Sequence, residues 1–476
     1  MHYTQGRNHA LVIGASVAGL VAARALADSY ERVTVIDRDI LPRDPQPRRG
    51  TPQSRQAHAL LTRGRAALDE LFPGFSDEMI AAGGVPGDSQ GDFRWYLDGY
   101  PLRPTKSGLT AIALSRPAVE HLIRARVAAL PGIDIIDSTE VLGLLTDDSL
   151  RVTGVQVRGR TPGVAESAIA ADLVVDATGR GSRARRWIED LGYPTPVRSE
   201  VRIDVAYVSR HYRGDPQRLD GRLGAYALQY PGQLRGGSVL RQEGDRFIVT
   251  LAGLLGEDPP TGDAEMLAFA ESLPTADIAE VIRSAKPLDE PVKMRYPASV
   301  RNRYENLDRY LDGFLVVGDA LCSFNPVYAQ GMTVAALEAL LLRKLLADGT
   351  RDLPRRFFRA AAKLINIPWS LAVGGDLRFP QVEGARRPTD RLINKYLARY
   401  RAAASVDARL GTTFLRVGNL LDPPARLLSP GHVIRVLRSA KKAVKGAGSD
   451  TVGSLATVEV GGNAGLDSHP SATRKP

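Results

Sequence analysis

Residues 10–19 read ALVIGASVAG, and this stretch decides the fold. Its first part, Ala10–Ile13, has the uninterrupted apolar character of a buried strand, and Gly14–Gly19 predicts a tight turn that leads into a helix. A second apolar run, Arg32–Ile36, ends at Asp37. Strand, glycine-rich turn, helix, strand and acidic residue form the fingerprint of a dinucleotide-binding unit, in which the turn approaches a pyrophosphate and the acid binds a ribose hydroxyl.

A second stretch, late in the chain, has a similar character. Gly313–Val317 predicts a buried strand, and Asp319 places a carboxylate near its carboxyl end, where it can accept hydrogen bonds from sugar-type hydroxyls. Pro326 and Gly331 then shape a turn into an Ala/Leu-rich helix, whose first N–H groups can face a polarised ring edge. A third run, Asp176–Ser182, follows another predicted buried strand, so three separated motifs point to one ligand.

Composition indicates a large globular enzyme. Hydrophobic residues make up 43% of the 476 residues, and the formal net charge is +10. An acidic partner, a nucleotide cofactor or a GC-rich genome would each explain this charge, whereas nucleic-acid binding is disfavoured because no basic stripe is interleaved with aromatic residues. The single cysteine, Cys322, forbids an intrachain disulfide and fits a reducing cytoplasm. No apolar run reaches the ~18 residues that a membrane span needs, so no transmembrane segment is expected.

The three motifs together resemble the FAD-dependent monooxygenases of the aromatic-hydroxylase superfamily, and in particular the flavin epoxidases of actinomycete polyether-antibiotic pathways. The first and last motifs mark FAD enzymes broadly, and two other stretches are more specific. The resemblance implies an oxidoreductase of antibiotic biosynthesis, a form of secondary metabolism. It is carried by IDRD at residues 36–39, GTPQSRQAH at 50–58, VVDATGRGS at 174–182, IVT at 248–250 and the stretch 318–332.

The predicted fold class is α/β, with a Rossmann-like FAD-binding domain interleaved with an antiparallel-sheet substrate domain, plus C-terminal helices. Alternating polar and apolar residues between Val201 and Ala252 predict antiparallel strands with one wet face. Basic and apolar residues alternate in Val433–Lys445, which could bind an acidic carrier protein or a membrane surface, or form a solvated helix face. The predicted parts are the FAD-binding domain at 1–90, 111–195 and 299–350, the substrate domain at 91–110 and 196–298, the helical region at 351–445 and a disordered tail at 446–476.

The resemblance also implies roles for single residues. The glycine-rich turn would wrap the pyrophosphate, although Ser16 replaces the middle glycine and makes the approach more crowded. Asp37 would bind the adenosine ribose, Asp319 the ribityl chain, and Pro326 would lie over the reactive ring. Ala329 stands where the family usually carries glycine, so this turn should be stiffer. The expected cofactor-binding residues are Gly14, Ala15, Ser16, Ala18, Gly19, Asp37, Arg38, Arg55, Arg116, Gly318, Asp319, Gly331 and Met332.

The implied reaction transfers one atom of O2, by epoxidation or hydroxylation, to a bulky apolar natural-product intermediate. Because the cofactor performs the difficult step, the protein needs no catalytic triad or metal cluster, and none is visible. Tyr207, Tyr226 and Tyr230 could line the substrate pocket or simply pack within the sheet. Cys322 is expected to be a small core residue, and His58 a structural or cofactor-side residue rather than a base.

The sequence leaves other functions open, among them a non-enzymatic role in which FAD is a structural or sensing ligand. A flavin halogenase would share the fold, but its Trp-x-Trp-x-Ile-Pro signature is absent. An FAD-dependent dehydrogenase or reductase, acting on a similar substrate without oxygen insertion, is harder to exclude. NADPH or NADH is the expected electron source, either directly or through a flavin reductase, because no second dinucleotide fingerprint appears. The substrate would be free or bound to a carrier protein.

Overall fold

The computed structural model describes residues 7–160, 165–386 and 388–447, so the tail predicted from 446 onward lies outside the described residues from 448. Its strands are β1 (His9–Ile13), β2 (Arg32–Ile36), β3 (Val85–Asp88), β4 (Phe93–Leu97), β5 (Tyr100–Pro101), β6 (Thr110–Ala113), β7 (Ile133–Ile136), β8 (Thr139–Thr146), β9 (Val152–Gly159), β10 (Ser167–Ala170), β11 (Leu173–Asp176), β12 (Val197–Arg213), β13 (Gly224–Ala227), β14 (Arg235–Gln242), β15 (Arg246–Gly253), β16 (Val292–Arg303), β17 (Phe314–Val316) and β18 (Cys322–Ser323). Its helices are α1 (Val17–Ala27), α2 (Thr62–Leu71), α3 (Phe75–Ala81), α4 (Arg116–Ala128), α5 (Ala184–Asp190), α6 (Asp263–Glu271), α7 (Asp277–Ser284), α8 (Gly331–Ala347), α9 (Leu353–Asp376), α10 (Pro388–Ala404), α11 (Ala408–Gly418) and α12 (Pro430–Ala447).

A parallel sheet of five strands forms the first layer, in the order β17-β11-β1-β2-β7. Every residue of β1 and β11 is buried, as expected for parallel strands that are covered on both faces. Helices α1, α4 and α8 pack together beside this sheet and contribute to the same apolar core. The sequence interpretation of a Rossmann-like unit is confirmed by this order and by the apolar strands it predicted.

A second sheet of eight strands follows the order β18-β16-β12-β15-β14-β13-β4-β5. Its central pairs are antiparallel, as predicted for Val201–Ala252, and β4 joins it in parallel with β13. Side chains alternate between the faces of β12: Val208 and Tyr212 pack with α6 and α7, whereas Val205 and Tyr207 belong to a core on the opposite side. The sheet therefore has one face closed by two helices and one face turned toward the C-terminal region.

The C-terminal helices cover this second face. Leu97 from β4 shares an apolar core with Tyr400 of α10 and Leu410 of α11, and Phe379 after α9 packs with residues of β12. The helical region predicted from residue 351 is present, and it contributes to the interior beside the sheet. The domain boundaries themselves remain predictions. Among the described residues, no helix combines the length and apolarity needed to cross a bilayer.

Candidate active site

Several glycine-rich or acidic turns meet at one edge of the parallel sheet. The last residue of β1, Ile13, is paired with Ile36 on one side and with Asp176 on the other. Asp176 is paired in turn with Val316 at the end of β17. Because the strands are parallel, the turns that follow them share one edge, which is the usual ligand position in an open α/β sheet. The three sequence motifs are therefore adjacent in space, and we call the region between them the groove.

The turn after β1 is closely packed. Gly14 has a φ of +103°, and a Cβ at this position would lie 2.9 Å from the carbonyl oxygen of Ala177. A Cβ on Gly19 would lie 1.7 Å from the carbonyl oxygen of Gly14. Ser16 starts α1 without a side-chain cap, and the first turn carries no acidic residue. The first N–H groups of α1 can therefore face an anionic group in the groove.

An ion pair from α4 supports this turn. Arg116 donates to Glu120 at 2.6 Å and to the hydroxyl of Ser16 at 2.9 Å, and Ser16 donates to Glu120 at 3.1 Å. Burial by itself raises the pKa of the Glu120 carboxyl, but Arg116 and Arg48 outweigh this effect and lower it. The serine that replaces the middle glycine of the fingerprint is thus a hydrogen-bonded link between the turn and α4.

Arg48 extends the same cluster to the end of β2. It donates to Glu120 at 3.1 Å, to Asp37 at 3.1 Å and to Asp39 at 2.9 Å. Asp37 also accepts from the backbone N–H of Ala15 at 2.7 Å. Through these contacts Asp37 links the glycine-rich turn to the loop after β2. A ribose hydroxyl would have to donate to the remaining lone pairs of the Asp37 carboxylate.

The turn after β17 faces α1 across the groove. Gly318 has a φ of +62°, and a Cβ there would lie 2.7 Å from that of Ala18. The side chain of Asp319 is exposed to the groove, and even a Cβ on Gly331 would lie 3.6 Å from its Oδ1. Helix α8 starts at Gly331 without a side-chain cap or an acidic residue in its first turn. A ligand on this side can therefore meet a carboxylate together with the N–H groups of Gly331 and Met332.

Glu338 of α8 lies beneath this turn. Its Oε2 accepts from the N–H of Gly318 at 2.7 Å, and its Oε1 is buried and has no partner among the described residues. Burial raises the pKa of the Glu338 carboxyl to about 8, even though the bond from Gly318 lowers it. The group is therefore mostly neutral at pH 7. It lies next to Asp319, which is open to the groove but whose pKa is also raised, because the surrounding protein desolvates its carboxyl.

The turn that precedes α8 is held from two sides. Asn325 donates from Nδ2 to Oδ1 of Asp376 at 2.9 Å, and the hydroxyl of Tyr328 donates to the same oxygen at 3.0 Å. From the sheet, the hydroxyl of Tyr226 donates to the carbonyl oxygen of Val327 at 2.9 Å. These bonds fix the segment on which the sequence analysis places the ring-facing Pro326, because both its side chains and its backbone are tied to neighbouring elements.

The turn contains a residue in a left-handed conformation and is bonded to a buried carboxyl. Ala329 has a φ of +52°, the left-handed conformation for which glycine is preferred. Asp376 is fully buried, and burial raises the pKa of its carboxyl to about 7 although the hydrogen bonds from Asn325 and Tyr328 lower it. Its Oδ2 has no partner within the described part of the chain.

A cavity of about 1320 Å³ lies beside the turn. It is bounded by the face of the eight-stranded sheet that the C-terminal helices cover, by the segment 326–330 and by α9, α10 and α11. Pro326 is exposed and forms part of the wall. Most of the remaining wall is aromatic or aliphatic and includes Trp95, Leu97, Leu228, Leu254, Trp369, Leu397 and Phe414.

Protein Rv3254 of Mycobacterium tuberculosis is 36% identical over 436 residues, which are 87% of this chain and 90% of that protein. This chain belongs to the family of Protein Rv3254. Squalene monooxygenase 1,1 of Brassica napus is 25% identical over 342 residues, which are 71% of this chain but 62% of that enzyme. No family model matches the chain.

Solved structures show the same fold for this member of the Rv3254 family. A flavoprotein/dehydrogenase from Cytophaga hutchinsonii superposes with a TM-score of 0.65 at 18% identity, covering 92% of this chain and 100% of that one. The flavin-dependent brominase Bmp2 superposes with a TM-score of 0.64 at 14% identity, with the same coverage. The chain thus has the fold of flavin-dependent oxidoreductases, including the α/β arrangement and the C-terminal helices.

The structure brings most of the predicted site residues of this Rv3254-family protein together. Tyr207 and Tyr226 line the cavity, but Tyr230 lies in the turn after β13 and does not line it. Arg38 and Arg55 are exposed at the protein surface. His58 lines the cavity, its Nδ1 is 3.0 Å from the carbonyl oxygen of Gln56, and burial lowers its pKa to about 4.

Several residues of the site were missed by the sequence analysis. Glu120 could have been found, since it stands four residues after Arg116 on the same predicted helix and can pair with it. The role of Arg48 could not be predicted from the sequence, because this residue lies in a proline-rich loop that has no helix or strand periodicity. Glu338 and Asp376 looked like ordinary polar positions of helices, and only their burial beneath the two turns distinguishes them. Cys322 is buried in the core, as expected.

Proposed function

We propose that the protein is an FAD-dependent monooxygenase that transfers one atom of O2 to a bulky, mostly apolar molecule. The observation that carries this proposal is the shared turn between groove and cavity. Segment 326–330 forms part of the cavity wall and leads directly into α8, whose first N–H groups lie beside Asp319 in the groove. A cofactor ring at the end of the groove and a substrate in the cavity would therefore meet at this turn.

The groove suits FAD on three counts. The uncapped start of α1 offers N–H groups to the pyrophosphate, and Gly14 keeps the backbone free of a side chain there. Asp319 offers a carboxylate to the ribityl hydroxyls, and the uncapped start of α8 offers N–H groups to the electron-rich ring edge. Reduced FAD supplies the activation of O2, and the protein orients the substrate and keeps water away. The names of the squalene monooxygenase relatives support the same reaction class.

Among oxygen transfers, the cavity favours epoxidation of an alkene over hydroxylation of a phenol. Phenol hydroxylation benefits from a base that removes the phenolic proton, whereas epoxidation needs none. His58 is a weak base because of its lowered pKa, and Tyr226 donates its hydroxyl proton to Val327. The resemblance to flavin epoxidases of polyether pathways agrees with this preference, as does the mostly apolar wall.

The electrons would come from NADPH or NADH, directly or through a flavin reductase. We also propose that the protein acts in the cytoplasm. The alternative is an FAD-dependent dehydrogenase or reductase that acts on a similar substrate without inserting oxygen. One structural neighbour is named a flavoprotein/dehydrogenase, and this name supports the alternative.

Isotopically labelled dioxygen separates the two functions. The purified protein with FAD and NADPH or NADH is incubated with a panel of bulky alkenes and phenols, and products are analysed by mass spectrometry. The proposal predicts a product that gains one labelled oxygen atom and no turnover without O2. Product without the label, formed anaerobically in the presence of another electron acceptor, would establish the dehydrogenase instead.

A further inference from the structure

Two arginines share one carboxylate in the wall of the cavity. Arg378, just after α9, and Arg401, in α10, donate to the same oxygen of Asp98 at 2.6 Å and 3.3 Å. Asp98 lies in the tight turn between β4 and β5 with a φ of +52°. All three residues line the cavity, and their side chains are only 10–13% exposed. This Arg378–Asp98–Arg401 cluster is therefore a charged patch within a largely apolar chamber.

Arg378, Asp98 and Arg401 together carry a formal charge of +1. Within the described chain, neither guanidinium forms an ion pair with another carboxylate. The other carboxyl buried nearby, Asp376, is bonded by Asn325 and Tyr328 instead. Burial lowers the pKa of Arg401 to about 10, the charge of Arg378 adds to this effect, and Asp98 offsets only part of it. The Arg401 guanidinium also lies over the ring of Phe414, 5.5 Å from its centroid, which stabilises part of this charge. A ligand of opposite charge would stabilise it further.

Most N–H groups of the two arginines do not donate to Asp98. Each guanidinium gives one N–H to Asp98, and a guanidinium has five. The other buried arginine at the cavity is different, since Arg301 is bonded to Asn366, Glu305 and the carbonyl of Ala362. The cluster therefore has donors available for a ligand in the cavity.

We propose that the Arg378–Asp98–Arg401 cluster binds a carboxylate of the substrate, so that the substrate is an apolar molecule with one acidic group. This inference rests on the proposed function, because it assigns the cavity to the substrate. A carboxylate matches the single unmatched charge and the planar guanidinium fork, whereas a phosphate dianion would overcompensate it. With the acid bound by the cluster, the apolar body lies along the wall toward Pro326.

The position of the cluster gives this binding a consequence for the reaction. Both arginines line the same cavity as Tyr328, and their charges counter the rise in the pKa of its hydroxyl. Tyr328 belongs to the turn at which groove and cavity meet. A bound carboxylate would therefore fix the distance between the acidic end of the substrate and the carbon that receives oxygen, and so select the site of attack.

Binding of pyrenebutyrate and of its uncharged analogue pyrenebutanol tests the proposal without any need for turnover. Two of the three tryptophans, Trp95 and Trp369, lie in the cavity wall, so energy transfer from tryptophan to pyrene reports binding, and the arginine variants test whether it occurs at the cluster. The protein should bind the carboxylate at least about tenfold more tightly than the alcohol, the discrimination expected from hydrogen bonds to a charged group. Arg401→Gln should reduce this ratio to below about threefold while alcohol binding stays unchanged.

Arg399→Gln is the matched control, because it makes the same change two residues earlier on the exposed face of α10. It should keep the full preference for the carboxylate. Arg378→Gln gives the same expected loss if Arg401→Gln does not fold, and Asp98→Asn should increase the preference by removing the competing carboxylate. Equal affinities in the unmodified protein, or an unchanged ratio in both arginine variants, would overturn the proposal. Either result leaves the labelled-dioxygen test unaffected.

Discussion

The groove and the cavity of this protein are built in different ways. The groove consists of turns and helix starts that follow parallel strands, so its essential groups are backbone N–H groups, glycines and two acids close to them. The cavity consists of side chains from the second sheet and from helices that lie up to about 300 residues apart in sequence, as Asp98 and Arg401 do. Backbone N–H groups in the groove can reach a ligand only where glycines and turn residues stand at fixed spacing in the sequence. The side chains of the cavity wall need no such spacing.

The largest expected effect falls on the groove. Gly14→Val would place a branched side chain at a φ of +103° and within 2.9 Å of the Ala177 carbonyl oxygen. We expect insoluble protein or protein without FAD, measured by soluble yield and by flavin content. Gly143→Val is the control, since a Cβ there meets nothing within 4 Å. Full flavin content in Gly14→Val would show that the groove does not depend on its glycine turn.

Glu338 makes the stability of the groove depend on pH. Its pKa is raised to about 8 from an ordinary 4.5, so the folded state favours the protonated form. The stability this provides is complete below pH 4.5 and is lost as pH rises through about 8. Glu338→Gln should remove the contribution of this carboxyl to the pH dependence of the unfolding free energy. It should stabilise the protein at pH 9 by roughly 2–4 kcal/mol, measured by urea unfolding across pH.

The exposed Glu189 provides the comparison for this experiment. Glu189→Gln should leave the pH dependence of the unfolding free energy unchanged. If Glu338→Gln and the unmodified protein show the same slope between pH 5 and pH 9, the carboxyl is ionised in the folded state and the account of the groove needs revision.

Neighbouring glycines in α9 test the cavity side. A Cβ on Gly375 would lie 2.1 Å from the hydroxyl of Tyr328, whereas a Cβ on Gly374 meets nothing within 4 Å. Gly375→Ala should displace Tyr328 from Asp376 and destabilise the protein by about 1–3 kcal/mol. Gly374→Ala should instead stabilise it by roughly 0.5–1 kcal/mol through helix propensity. Thermal unfolding of both variants checks the opposite signs, and a shift in the same direction would contradict this packing.

The contrast between groove and cavity also explains what the sequence could predict. The fingerprint around Gly14, the acid at Asp319 and the start of α8 were readable because each is a local pattern with one geometric solution. The residues of the cavity wall could not be predicted in this way, and Tyr230 shows why: strand periodicity indicates that a tyrosine belongs to a sheet but not which part of the sheet borders a cavity. The contribution of α9 to α11 was hidden because amphipathic helices do not specify the surface that they cover.

The smallest expected effect concerns Ser16, where local pattern and tertiary contact meet. A middle glycine would be the usual residue, yet the Ser16 hydroxyl bridges Arg116 and Glu120. Ser16→Ala should cost about 1 kcal/mol of stability, because the ion pair remains when the bridge is lost. Ser16→Thr retains a hydroxyl and should recover most of it, as urea unfolding will show. Unchanged stability in Ser16→Ala would mean that the bridge contributes nothing.

The flavin content of the purified protein tests the central claim most directly. The account predicts a yellow protein whose FAD is released intact by acid or heat, and it predicts weaker retention in Asp319→Ala by roughly 1–3 kcal/mol, because a ribityl hydroxyl loses its acceptor. Titration of the unmodified protein and the variant with FAD, followed by flavin fluorescence, gives both values. A protein that binds no FAD, or an Asp319→Ala variant that binds it with unchanged affinity, would contradict the assignment of the groove.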